Sequence, residues 1–114
     1  MIYVQLDRNR TTSLRMTGHA LTAPHGQDLV CAAVSVLAIN TANSLETLVG
    51  LKPPDMVTDV QDGDFSLQLR TDQLTHKQKE FAFLLLDSFT LGIESLQESY
   101  PASITYREGG GNND

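Results

Sequence analysis

Apolar and polar residues alternate along the start of the chain with a period of two. Ile2, Val4 and Leu6 alternate with Tyr3, Gln5 and Asp7. The alternation resumes at Leu14 and Met16 after a polar stretch. Alternation of this kind is typical of strands with one buried face. The pattern therefore predicts two strands joined by a polar turn and followed by a Gly- and Pro-containing loop.

From Asp28 the spacing of apolar residues becomes helical, which predicts a first helix of about 20 residues. Asp28 is a suitable N-terminal cap, and Gly50 followed by Pro53 and Pro54 supplies a stop signal. The predicted buried stripe of this helix consists of Val30, Val34, Leu37, Leu45 and Leu48.

The second half of the chain repeats the change from strand to helix. Residues 57–61 and 65–70 flank an Asp-Gly pair suited to a tight turn, which predicts a β-hairpin. Thr75 and Gln78 have the spacing of a capping box at the start of a second helix that ends before Pro101. The predicted stripe of this helix consists of Phe81, Leu84, Leu85, Ile93 and Leu96, and residues 103–106 are predicted as a last strand.

This order of elements predicts an α+β fold in which one mixed, mainly antiparallel sheet is packed with two long helices, in the order ββαββαβ. Residues 1–107 are expected to form a single domain. Residues 108–114 are rich in Gly and Asn and are expected to form a disordered tail.

Composition narrows the class of protein. Hydrophobic residues make up 40% and charged residues 19% of the chain, which fits a globular protein. The longest uninterrupted apolar run, residues 81–86, is far shorter than the roughly 20 residues of a membrane helix, so we expect no membrane association. The single cysteine rules out an internal disulfide and favours the cytoplasm. A net charge of −6 with eight scattered Lys and Arg residues opposes direct nucleic-acid binding and favours basic partners.

The candidate chemistry lies between the second strand and the first helix. Cys31 is expected in the first helical turn, where free N–H groups stabilise a thiolate and could bind an oxyanion, and His19 could serve as its base. The pattern alone leaves open that Cys31 is a small buried side chain and that His19 is satisfied by a backbone carbonyl. Asp28 is either a cap or a supporting catalytic residue. Ser35 is either a packing residue or a hydrogen-bonding residue near the site.

These residues resemble a known signature. A Gly-His pair at residues 18–19 is joined by a loop to the Gly-x-Asp-x-x-Cys-Ala run that begins at Gly26 and continues to Ser35. This arrangement resembles the ribosomal-processing cysteine protease family, also called Prp or YsxB-like. The resemblance implies a homodimeric endopeptidase, without a cofactor, that removes the N-terminal extension of a bacterial large-subunit ribosomal protein.

Carried over to this sequence, the family's catalytic dyad corresponds to His19 and Cys31. The family also implies a mobile loop between these two residues that must move to admit substrate. In this chain the loop consists of Leu21, Thr22, Ala23, Pro24, His25, Gly26 and Gln27.

Three other functions have weaker support in the sequence than the protease. A metal site built from His19, His25 and Cys31 matches none of the usual structural zinc spacings, so no metal is expected. A redox role lacks a resolving cysteine. The remaining alternative is a noncatalytic ribosome-assembly adaptor that binds the same basic tail, and its function would survive replacement of Cys31 by Ala.

Overall fold

The computed structural model describes residues 1–18, 25–61 and 64–109, and of residues 25–28 it describes the backbone alone. The main elements in chain order are β1 (Ile2–Arg8), β2 (Thr12–Thr17), α1 (His25–Ser44), β3 (Met56–Gln61), β4 (Asp64–Leu69), α2 (His76–Ser99) and β5 (Ile104–Gly109). The strands form one sheet in the order β3-β4-β2-β1-β5, with β5 parallel to β1 and the other neighbouring pairs antiparallel. The predicted α+β fold, mixed sheet and element order are therefore confirmed.

The predicted strand alternation holds on β1 and β2. Ile2, Val4, Leu6, Leu14 and Met16 are each at most 2% exposed and belong to the core between the sheet and the helices. Full burial of side chains of this size stabilises the fold by about 1.5–3 kcal/mol each. The two-residue period therefore identified the core side of these strands correctly.

The first helix begins earlier than predicted. α1 starts at His25, so Asp28 is its fourth residue and does not occupy the capping position. The predicted boundary was placed at the onset of the apolar stripe, and the first turn of α1 lies before that onset. The prediction of Asp28 as the helix cap is therefore wrong.

The end of the first helix agrees with the predicted stop signal but changes its periodicity. A π-helical turn, Leu45–Val49, follows α1 and ends at Gly50, which has a φ of 81°. A π-helical turn is wider than an α-helical turn, so each residue advances by a smaller angle. Leu48 is consequently 73% exposed, against prediction, and Val49 packs against the core in its place.

The second helix has the predicted cap but a different core face. The Thr75 hydroxyl accepts a hydrogen bond from the Gln78 N–H, and the Gln78 side chain accepts one from the Thr75 N–H. Phe81 and Leu84 are exposed, and of the predicted stripe only Ile93 is fully buried. The buried stripe is Ala82, Leu86, Phe89 and Ile93. α2 therefore carries a second, largely exposed apolar face, which the spacing of its large side chains had favoured as the core face.

The last strand extends beyond the predicted domain end. β5 runs to Gly109, and Glu108 and Gly109 pair with Leu6 and Asp7 of β1. These two residues belong to the sheet, so the predicted tail beginning at residue 108 starts too early. Residues 110–114 lie outside the described residues.

The first helix is unusually apolar for a helix with one face on a sheet. Leu29–Val49 has a mean hydropathy of 1.4 and, by length and composition only, could cross a membrane, although core helices of soluble proteins pass the same test. Here Val30, Val34 and Ala38 pack into the core. The high hydropathy arises because Leu29 and Val36, on the side away from the sheet, are also apolar and are exposed.

Candidate active site

Cys31 lies in the second turn of α1, not in the first. It is the seventh residue of the helix, is half-buried and packs against the core cluster. Only the first four N–H groups of an α-helix lack partners within it, so the Cys31 N–H belongs to the helical hydrogen-bond ladder. The predicted first-turn position is therefore wrong, and in this conformation the Cys31 N–H is not free to bind an oxyanion.

Gly18 directs the chain out of β2 towards His19. Its φ is 91°, a conformation that side chains with a Cβ rarely adopt, and a Cβ at this position would overlap the carbonyl oxygen of Met1. That carbonyl is held in place because the Ile2 N–H donates to the Ser103 oxygen at 2.8 Å. Two features therefore require glycine at this position of the Gly-His pair: the positive φ and the close approach of the Met1 carbonyl.

The other predicted site residues are only partly placed. His19 and residues 21–24 of the predicted gating loop lie outside the described residues. His25, Gly26 and Gln27 form the first turn of α1, so three of the seven predicted loop residues are helical. The predicted pairing of His19 with Cys31 therefore stays a prediction.

Ser35 lies one turn after Cys31 and lines a small cavity. The cavity has a volume of about 90 Å³ and an apolar floor formed by Met16, Phe65 and Val60. Ile39, one further turn along α1, completes the wall. Ser35 is half-buried and so faces a cleft between α1 and the sheet, as well as the turn that carries the thiol.

Comparison with known proteins identifies the family. The model of the cysteine protease Prp family matches residues 1–105. The ribosomal processing cysteine protease Prp of Bacillus subtilis is 33% identical over 89 residues, which cover 77% of each chain. This chain belongs to the Prp family of cysteine proteases. The Prp of Staphylococcus aureus is 26% identical over 98 residues, covering 86% of this chain and 87% of that one.

Solved structures show the same fold. SMU.848 from Streptococcus mutans has a TM-score of 0.75 and 34% identity, covering 96% of this chain and 95% of its own. The Prp of S. aureus in complex with a substrate peptide has a TM-score of 0.74 and 22% identity. The same protein with a covalently linked product peptide has a TM-score of 0.71 and 23% identity. Both S. aureus structures cover 96% of this chain and the whole of their own.

Membership of the Prp family makes this chain a cysteine protease, as the resemblance of its residues had implied. Sequence reasoning did not single out Ile39, Val60 or Phe65 as residues of a cavity beside Ser35. The alternation 65, 67, 69 placed Phe65 on a strand face, but only the register of β2, β4 and β3 brings it beside Met16 and Val60. Strand order is a property of the whole sheet and has no local signal in this sequence.

Proposed function

We propose that this protein is an endopeptidase that removes the N-terminal extension of a bacterial large-subunit ribosomal protein, with Cys31 as nucleophile and His19 as general base. The observation that carries the proposal is the single cysteine in a chain that belongs to a cysteine protease family. The name of the B. subtilis relative, a ribosomal processing protease, supports the substrate class. The net charge of −6 favours encounter with a basic ribosomal protein.

The proposed reaction proceeds through a thioester. His19 takes the thiol proton of Cys31, and the thiolate attacks the scissile carbonyl to give a tetrahedral oxyanion. The protonated imidazole then gives its proton to the leaving amine as the C–N bond breaks. Water, deprotonated by His19, hydrolyses the thioester and restores the thiol. The covalently linked product peptide on the S. aureus Prp supports a covalent route.

The position of Cys31 within α1 bears on the proposed gate. Because His25, Gly26 and Gln27 are helical, we propose that opening of the predicted loop includes unwinding of the first turn of α1. This unwinding would also bring Cys31 closer to the helix start and its free N–H groups. Glycine within a helix is about 1 kcal/mol less favourable than alanine, so Gly26 lowers the free energy needed for unwinding. We expect Gly26→Ala to stabilise the protein and to lower kcat, measured by thermal unfolding and peptide turnover. An increase in both would contradict this role.

The nucleophile is tested with a peptide that copies the N-terminal extension of the host's candidate ribosomal protein, followed by mass spectrometry. We expect one cut by the wild-type protein and none by Cys31→Ala, with binding retained. Saturable binding without any cut by either protein would favour the noncatalytic adaptor and refute the proposed reaction.

The base is tested by a pair of histidine variants. His19→Ala should lower kcat/KM by about 10²- to 10⁴-fold and slow alkylation of Cys31 near neutral pH. His76→Ala is the matched control, because the His76 side chain is 95% exposed at the start of α2. Unchanged alkylation in His19→Ala would exclude His19 as the base, and His25→Ala would then take its place in the same assay.

We also propose that the protein is a homodimer in the cytoplasm. The groove between α1 and α2 has a volume of about 500 Å³ and an almost wholly apolar lining that includes Leu29, Val36 and Leu96. Burying this groove against a second copy would remove exposed apolar surface from water, which favours association. Val36→Glu should shift the protein to monomer in analytical ultracentrifugation, whereas Val57→Glu, on β3, should not. Equal behaviour of the two variants would exclude this face as the dimer contact.

A further inference from the structure

Five of the eight Lys and Arg side chains lie at the end of the fold away from Cys31. This end consists of the β1–β2 turn, the loop from α1 to β3 and the connection from β4 to α2. Two backbone hydrogen bonds join these segments, from the Asp72 N–H to the Arg10 oxygen at 3.2 Å and from the Arg70 N–H to the Asp55 oxygen at 2.9 Å. We call this surface the basic end, and its cations are Arg10, Lys52, Arg70, Lys77 and Lys79.

The cations of the basic end are not neutralised by their neighbours. Four of them are exposed, and Lys79 is partly exposed. Within residues 1–18, 25–61 and 64–109, none of the five forms an ion pair with a carboxylate. The Lys77 ammonium lies 5.9 Å from the centroid of the Phe81 ring, a contact that orients the charge without cancelling it. These charges are therefore available to an anionic partner.

Two of the cations oppose the stability of the helix that carries them. Lys77 and Lys79 lie in the first turn of α2, which has no acidic residue. The helix macrodipole places partial positive charge at this terminus, so cations there destabilise the helix and a bound anion stabilises it. Residues that break a local rule of stability are expected at functional sites. The placement of these lysines therefore favours an anionic partner at the basic end.

The basic end differs in charge from the rest of the molecule. Residues 9–11, 45–55 and 70–80 carry a net charge of +1, and all other residues together carry −7. At the opposite end, Asp64 begins β4 and Glu98 lies in the last turn of α2. The two ends are separated along a molecule that is 43 Å long. A charge distribution of this kind turns the basic end towards a polyanion and the opposite end towards a basic peptide.

The proposed substrate indicates which polyanion the basic end meets. Ribosomal proteins are bound to RNA, and RNA phosphates contact exposed Lys and Arg side chains without regard to base sequence. α1 extends about 20 Å from Cys31 to its last residue, Ser44, next to the basic end. The thiol therefore stays clear of any RNA that contacts the basic end.

We propose that the basic end binds the phosphate backbone of RNA and thereby holds the protease on a ribosomal particle, with Cys31 directed away from the RNA. This inference rests on the proposed function. The sequence favoured the opposite expectation because its eight cations are scattered along the chain. Only the fold brings five of them to one surface.

Two double variants of equal net charge test this surface. Arg70→Gln/Lys77→Gln removes two cations of the basic end, and Arg15→Gln/Arg107→Gln removes two exposed cations of the sheet face away from the helices. Because both variants lose the same charge, a difference between them reports position. Fluorescence anisotropy measures binding to a labelled RNA duplex of about 16 base pairs, the length that one double-stranded RNA-binding domain spans. The salt concentration is raised from about 50 mM to about 200 mM.

Contact with four phosphates should lower the association constant of the wild-type protein about 100-fold over this range. Arg70→Gln/Lys77→Gln should weaken binding about 10-fold at the lowest salt concentration and reduce the slope of log K against log salt by about 2. Arg15→Gln/Arg107→Gln should keep the wild-type slope. Equal losses in the two variants would overturn the proposal, as would binding of the wild-type protein to phosphatidylglycerol vesicles but not to RNA. Far-UV circular dichroism confirms that each variant is folded.

Peptide cleavage separates this proposal from the peptidase. The two variants should cut a free peptide at equal rates, because both leave the residues around Cys31 unchanged. A peptide joined to the RNA duplex should be cut at least about 10-fold faster than the free peptide by the wild-type protein and by Arg15→Gln/Arg107→Gln, but not by Arg70→Gln/Lys77→Gln. RNA binding with the expected salt dependence but no cleavage would support the RNA surface and refute the peptidase. Cleavage without RNA binding would refute the RNA surface alone.

Discussion

Substitution of Gly18 tests quantitatively why the chain needs glycine between β2 and His19. A Cβ at this position would combine a positive φ of 91° with overlap on the Met1 carbonyl oxygen and a 3.4 Å contact with the Tyr3 ring. A residue other than glycine at positive φ costs about 1–2 kcal/mol. The displacement of fixed backbone adds about 1–3 kcal/mol, as overpacking does in cores. Gly18→Ala should therefore destabilise the protein by about 2–5 kcal/mol.

Gly50 provides the matched control for this substitution. Its φ is 81°, similar to that of Gly18, but a Cβ there would meet nothing within 4 Å. Gly50→Ala should thus lower the free energy of unfolding only by the cost of the positive φ, about 1–2 kcal/mol. The difference between the two variants isolates the close approach of Met1.

Urea unfolding followed by far-UV circular dichroism measures both variants. With a slope of about 1.5 kcal/mol/M, the midpoint of Gly18→Ala should fall by about 1.3–3.3 M and that of Gly50→Ala by about 0.7–1.3 M. Peptide turnover per folded molecule should also fall in Gly18→Ala, because His19 follows directly. Equal midpoints for the two variants would refute the argument that the Met1 contact makes glycine necessary.

Three further predictions concern other parts of the molecule. Thr75→Ala removes half of the capping box of α2 and should lower the free energy of unfolding by about 1 kcal/mol in urea, whereas Thr75→Ser should retain it. Burial raises the pKa of Tyr106 despite its hydrogen bond with Thr90, so the folded protein favours the neutral phenol. The stability that this preference contributes is fully present below about pH 10, the unfolded pKa, and should be lost as pH rises through the folded pKa. Urea midpoints across this range should fall less steeply in Tyr106→Phe than in the wild type or Tyr3→Phe, and parallel curves would contradict the assignment. The net charge of −6 should make KM for a basic peptide rise as ionic strength increases from about 0.01 M to about 1 M, while a peptide with Lys replaced by Gln shows no such rise.

Local patterns in the sequence predicted the elements whose signals are themselves local. The alternation in β1 and β2, the hairpin of β3 and β4 and the Thr75 capping box depend on neighbours within a few residues, and the structure confirms each of them. The resemblance to the Prp family likewise came from two short segments, the Gly-His pair and the run from Gly26 to Ser35, and is confirmed by the family match.

The errors arose where tertiary packing chooses between equivalent faces. α2 has apolar residues on two sides, and the large side chains Phe81 and Leu84 outweigh Ala82 in any count of hydrophobicity. The sheet nevertheless packs against the side that carries Ala82 and Phe89. The start of α1 was misplaced for a related reason, since its first turn is polar or glycine-containing and carries no apolar stripe.

The same topology explains why an apolar recess lies beside Ser35, four residues after Cys31 on α1. The chain leaves β2 at Gly18 and returns as α1, so residues at the end of β2 and early in α1 meet at one corner of the sheet. β4 pairs with β2 in the register that sets Phe65 beside Met16, and the hairpin carries Val60 out to the uncovered edge.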